Sequence, residues 1–122
     1  MSNQVTNKTG KAGQTAGDRR IISGATATTA APTGVNAGFL TNRSRYIHLL
    51  FRVAGTSPAF LLQIWWYSDV SGQWHKGEVV TVNAPDITTL ETQGLLRIAL
   101  QVTQVKGTNA SLDAWLALVK ET

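Results

Sequence analysis

Few residues in this chain could do acid–base or nucleophilic chemistry. His48 and His75 are its two imidazole bases, and a catalytic imidazole needs a nucleophile or carboxylate held against it. Neither has an Asp or Glu at a meaningful spacing, and no Gly-x-Ser-x-Gly or His-Glu-x-x-His pattern occurs. Asp69, Glu78, Asp86 and Glu91 fall in or beside turn signals, where nothing pairs them for glycoside hydrolysis or repeats them as a calcium loop does. There is no cysteine, which removes disulfides, thiol chemistry and Cys-based zinc sites together. Gly10, Gly13 and Gly17 follow no strand pattern and precede no apolar helix, so they read as flexible chain rather than a phosphate cradle. The expectation is a protein that is not an enzyme and has no catalytic residue, no metal and no cofactor.

Aromatic residues carry the remaining chemistry. Trp65, Trp66, Tyr67 and Trp74 stand close in sequence, and adjacent positions on a strand point to opposite faces. Trp66 therefore faces the core, while Trp65 and Tyr67 share the other face. Trp115 lies off the main apolar face of its own segment and is expected to join them. A turn signal at 69–73 is expected to bring Trp66 and Trp74 near one another across a hairpin. Large rigid aromatics of this kind serve as core, as interface anchors, or as platforms that stack on sugar rings.

These residues are positioned by segments whose apolar residues recur every second position, the signature of β-strands. Ile47, Leu49, Phe51 and Val53 alternate with Tyr46, His48, Leu50 and Arg52. The run 60–67 is apolar on both faces, as expected of a strand covered on both sides. Residues 74–82 form the return strand, and 83–86 break it. Residues 86–93 read as an irregular or briefly helical connection. Leu96, Ile98, Leu100 and Val102 alternate with Arg97, Ala99, Gln101 and Thr103. Lys106, Gly107, Thr108 and Asn109 then read as a turn that folds a last strand, 112–120, back as a hairpin. One or two further strands can come from 20–30. Six to eight short antiparallel strands make an all-β sandwich of the jelly-roll kind.

Residues 1–44 differ from this body, which runs from 45 to 122. They are mostly Gly, Ala, Thr, Ser, Asn and Gln, a composition that buries too little surface to offset its ordering entropy. They read as an extended, low-complexity arm, ordered by lying across neighbouring molecules or docked on its own body as an edge strand near 20–30. The net charge is +4, and residues 1–45 hold Lys8, Lys11, Arg19, Arg20, Arg43 and Arg45 against Asp18 alone. A basic arm suits an acidic protein surface, or nucleic acid through phosphate neutralisation. Its six cations are spread thinly compared with packaging tails, which favours protein. A 122-residue chain with a small body also gains from association. The polar residues after Met1 do not read as a secretory signal, and no apolar run is long enough to span a bilayer. Synthesis in a host cytoplasm and no membrane partner are expected.

A polar Ala/Thr/Gly arm followed by a compact strand-rich body, with Phe60-Leu61-Leu62-Gln63-Ile64-Trp65-Trp66-Tyr67-Ser68-Asp69 and then Ser71-Gly72-Gln73-Trp74, resembles small virion proteins of tailed bacteriophages. Among these the decoration or cement proteins are most similar. The resemblance implies a structural virion protein, often trimeric, that bridges major capsid protein subunits and stabilises the shell. It implies partner contacts from Arg19, Arg20, Ile21 and Ile22 of the arm and from Trp65 or Tyr67, beside the basic Lys8, Lys11 and Arg43 and the off-face Trp115. The other readings are a carbohydrate-binding module of a fibre or adhesin, and a head–tail neck or adaptor protein whose arm contacts nucleic acid.

Overall fold

A computed structural model of the protein describes residues 15–119. Within them the chain is all-β and antiparallel, as its alternating patterns predict. The strands are β1 (Thr15–Ala25), β2 (Phe39–Leu40), β3 (Tyr46–Ser68), β4 (Gln73–Val82), β5 (Asp86–Glu91) and β6 (Arg97–Val119). They join in a six-stranded sheet of order β1-β6-β3-β4, with β5 also on β3 and β2 also on β6.

The frame is a pair of 23-residue strands, β3 and β6, hydrogen-bonded from Ile47↔Leu118 to Tyr67↔Arg97. Two expectations are corrected here. The runs 46–53 and 60–67 are one strand, and the segments on either side of 106–109 are one strand rather than a hairpin. Glycine decides both. Gly55 and Gly107 have φ of 111° and 106°, a region L side chains rarely adopt. A Cβ on Gly55 would sit 2.6 Å from the Asn109 carbonyl oxygen, and one on Gly107 would sit 2.6 Å from that of Ser57. Each glycine thus lets the opposite backbone approach, and the register shifts between Ala54 and Ala59 turn a corner through both strands without reversing either.

The corner folds the sheet over. Arg45 and Tyr67 flank or end β3, and 22 residues of extended strand would span roughly 70 Å. Yet the Arg45 carbonyl accepts from the Thr92 N–H (2.9 Å) and the Tyr67 carbonyl from the Leu96 N–H (3.2 Å), and residues 92 and 96 are at most about 14 Å apart. The two ends of β3 therefore come together, and one face of the sheet is enclosed. In the first layer β1, the second half of β6, the first half of β3 and β5 lie side by side. In the second layer the order is β2, the first half of β6, the second half of β3 and β4.

Between the layers lies one core. Ile47, Leu49 and Phe51 meet Phe60, Leu62, Ile64 and Trp66, together with Ile98, Val102, Leu112 and Leu116 from β6. Two buried threonines lace the joined ends. The Thr41 hydroxyl donates to the Leu95 carbonyl and accepts from the Arg43 N–H, and the Thr92 hydroxyl donates to the Ser44 carbonyl. Residues 86–91, expected as an irregular link, form β5. Ile87, Thr88 and Thr89 are β-branched and favour the extended chain, and the first half of β3 offers them an edge from Tyr46↔Glu91 to Phe51↔Asp86.

Residues 15–41 lie against their own body. β1 pairs with β6 from Thr15↔Val119 to Ala25↔Leu112, Thr29 exchanges hydrogen bonds with Val102, and Phe39 pairs with Ile98. Ile21 and Ile22 pack against the core. Lys8 and Lys11 lie outside the described residues.

Candidate interaction face

The folded sheet leaves two outer faces, and the aromatic residues divide between them. Trp65 and Tyr67 are on the second layer and Trp115 is on the first, so the shared aromatic face expected from alternation does not form. Strand order decides this: Trp65 pairs with Ala99 and Trp115 with Leu50, at opposite ends of the same two strands. Trp66 and Trp74 are likewise not neighbours across the hairpin. Trp74 pairs with Tyr67, their rings 5.4 Å apart edge to face, and Trp66 pairs with His75.

On the second layer most polar ends find partners within the chain. The Trp65 indole N–H donates to Gln101 (2.9 Å) and the Lys76 ammonium lies 5.8 Å from its ring centre. Tyr67 is buried. The Trp74 indole N–H donates to the Gly34 carbonyl (2.9 Å), and Gly38 packs so closely that a Cβ there would meet the Trp74 ring at 2.8 Å and the Ile98 carbonyl at 2.5 Å. The segment 29–40 thus closes over this end of the layer. At the seam between layers, Trp66, His75, Glu78, Glu91 and Leu95 line an open groove of about 640 Å³. The Trp66 indole donates to Glu78 (3.0 Å).

The first layer carries a different arrangement. Arg20, Trp115, Leu50 and Ile87 stand in one row across four strands. Beside that row Arg52 stands opposite Asp113. Asp113 is 9% exposed, and its two oxygens are fully engaged. One accepts from the Arg20 guanidinium and from the Gly24 N–H (2.8 Å); the other accepts from Arg52 Nε (3.2 Å) and Nη2 (2.9 Å). The same two guanidinium groups lie 5.4 and 5.2 Å from the centre of the Trp115 ring, within range of its π face. Hydrogen bonds from Arg20 first, then from Arg52 and the Gly24 amide, hold the Asp113 carboxyl down at about 2, against the opposing effect of its burial. It is ionised throughout the neutral range, and it fixes both arginines over the indole.

The flanks extend the same character. Arg45 lies 5.3 Å over the Tyr46 ring and 3.9 Å from Glu91. His48 Nδ1 is 2.8 Å from the Thr89 hydroxyl. His75 Nε2 is 2.7 Å from Ser71 Oγ in the exposed hairpin turn of the second layer, so the two imidazoles are on different layers. Among the described residues no group of three or more His, Cys, Asp or Glu is placed to hold a metal ion. Among the same residues no helix is long and apolar enough to cross a membrane.

Of the residues singled out from sequence, the fold brings Arg20 to Trp115 and leaves the others apart. Arg19 lies 5.9 Å over the Phe39 ring. Arg43 is tied to Asp69 (2.6 Å) and to the Gly94 carbonyl (2.9 Å). Sequence reasoning passed over Arg52, Asp113, Leu50 and Ile87 as site residues. The signal was present in part, since alternation puts Leu50 on one face with Arg52 and Asp113 on one face with Trp115; only the pairing of β3 with β6 joins the two sets.

The geometry defines a small, two-layered, antiparallel β protein made by folding one sheet at a glycine corner. No protein-family model and no curated protein matches its sequence. Its fold is similar to that in the crystal structure of the SPBc2 prophage-derived protein YomS, with a TM-score of 0.55 and 12% identity over 83% of this chain and 91% of that one. At that identity the likeness is one of fold.

Proposed function

We propose that this chain is a structural protein of phage origin that works by binding neighbouring protein subunits, in the manner of a capsid decoration or cement protein. The observation that carries the reading is the likeness of fold to a prophage-derived protein over 83% of this chain and 91% of that one. The first layer's outer face supports it, because Trp and Arg are the residues that dominate protein interfaces, and here they are held rigid before any partner arrives. A preorganised side chain loses less entropy on docking.

The mechanism is physical. A body that buries surface on two adjacent capsid subunits adds its own contacts to those that must break when the shell opens. Assembled as a homo-oligomer, a trimer as in many decoration proteins, linked copies raise retention well above that of one contact. Its place is then the virion, and its turnover of any substrate is nil. A carbohydrate platform is less well supported, because the Trp65 N–H and ring already face Gln101 and Lys76.

The test is co-sedimentation of the full chain with purified phage shells, followed by thermal melting of the loaded and bare particles. Saturable loading with a raised shell melting temperature is expected. Failure to load on any shell, or loading without a gain in shell stability, overturns the proposal.

A further inference from the structure

On the reading that the protein binds other subunits, we infer that the outer face of the first layer is the docking surface, and that its partner is an acidic protein segment. That segment would bring a carboxylate to Arg20 and Arg52 and an apolar side chain onto Leu50 and Ile87.

Charge complementarity selects this occupant. Arg20 and Arg52 have side chains 46% and 62% exposed, and Arg45 is exposed at the flank. Arg52 gives two N–H donors to Asp113 and Arg20 gives one, so most of their donors have no partner among the described residues. The negative charge that balances them is placed asymmetrically. Asp113 is nearly buried beneath the arginines, with both oxygens occupied, so it offers an incoming cation nothing to bind. Glu91, at the far end of the face, lies near Arg45, and Asp18 holds a register position in the row beside Arg20, opposite Ala117. An approaching molecule therefore meets guanidinium edges, which suit carboxylates in paired hydrogen bonds.

The apolar half of the row specifies the rest. Ile87 is 62% exposed, Leu50 and Trp115 are half-buried beside it, and no described segment crosses them. A polyanion such as nucleic acid would use the arginines but gain nothing from Ile87. The indole does not offer an open ring for base stacking, since two guanidinium groups already lie over it. An acidic protein segment with an apolar side chain uses the whole row.

The experiment is NMR titration of the full chain with a blocked peptide of alternating Glu and Leu, with its Lys-for-Glu counterpart, and with an oligothymidylate. Saturable shifts of the Leu50 and Ile87 methyls and the Trp115 indole with the Glu peptide alone are expected, weakening on the order of tenfold as salt rises from low to roughly 0.3 M. Arg52→Glu should switch the preference to the Lys peptide. Ile87→Asp, at an exposed position that leaves folding intact, should weaken Glu-peptide binding about tenfold. Lys76→Glu on the other outer face should change nothing. Tighter binding of the oligonucleotide, shifts centred on Trp65 and Gln101, or no saturable binding of the Glu peptide would overturn the inference. If the full chain loads on shells but Arg52→Glu and Ile87→Asp load equally well, this face is wrong while the structural function stands. If the peptide binds as expected and no shell is loaded, the function is wrong while the face's preference for acid stands.

Discussion

The two outer faces of this protein are built from the same two strands and end up chemically opposite. On the second layer the segment 29–40 folds over Trp74 and Ala99, Tyr67 is buried beneath, and each indole N–H has a partner inside the chain. On the first layer nothing described covers the row from Arg20 to Ile87. Its polar atoms satisfy one another through Asp113 only on the inward side. A face covered by its own chain is finished as structure, whereas one whose cations are held in place and left half-exposed is prepared for contact. The aromatic residues alone do not make this distinction, because both faces have them.

The difference between the faces depends first on the corner that separates the layers, and disrupting that corner should have the largest effect. Gly107→Ala places a Cβ against the Ser57 carbonyl at a φ that side chains rarely adopt. A loss of about 3 kcal/mol in chemical denaturation is expected, and Gly72→Ala, also at positive φ but in open space, should cost distinctly less. Wild-type stability in the Gly107 variant would mean that the corner is not set by that close approach.

Removing the anchor of the open face comes next. Asp113 has its carboxyl lowered from 3.8 to about 2 in the folded protein, so the folded state holds the ionised form more tightly than the unfolded chain does. Its contribution is complete above about pH 4 and fades as pH falls through 2, a difference of about 2 kcal/mol. Asp113→Asn should lose that amount at neutral pH and show a flatter acid branch between pH 4 and 2. An unchanged acid branch would remove Asp113 from its anchoring role. On the closed face, Trp74→Phe removes the hydrogen bond to Gly34 and the part of the indole ring packed on Gly38, and should cost about 1.5 kcal/mol, with faster amide exchange confined to residues 34–38. Ile87→Asp should have the smallest effect on folding, under about 0.5 kcal/mol, while it weakens association. That opposition between stability and binding is the sharpest expression of what separates the two faces.

The alternating pattern carried much of the fold. Ile47, Leu49 and Phe51, and Ile98 and Val102, are buried as their spacing predicts, and the all-β antiparallel class follows from that rhythm. The rhythm alone misread 106–109 as a reversal, because a glycine at positive φ serves a corner as well as a turn. It also missed β5, since six residues with one deeply buried side chain, Leu90, become a strand only when a free edge is beside them. Of the candidate site, Arg20 and Trp115 were legible as residue types suited to contact. Their meeting was not, because Arg20 and Asp113 are 93 positions apart and local spacing holds no information on which strands pair.

By itself the sequence determined composition, charge, strand-forming rhythm and the lack of cysteine chemistry, since each is a property of local residue identity. Tertiary structure decided which face each aromatic occupies, which cations are tied down and which are left half-free. These outcomes depend on strand register, and register is set by the whole buried core together with the two glycines that let the backbones cross.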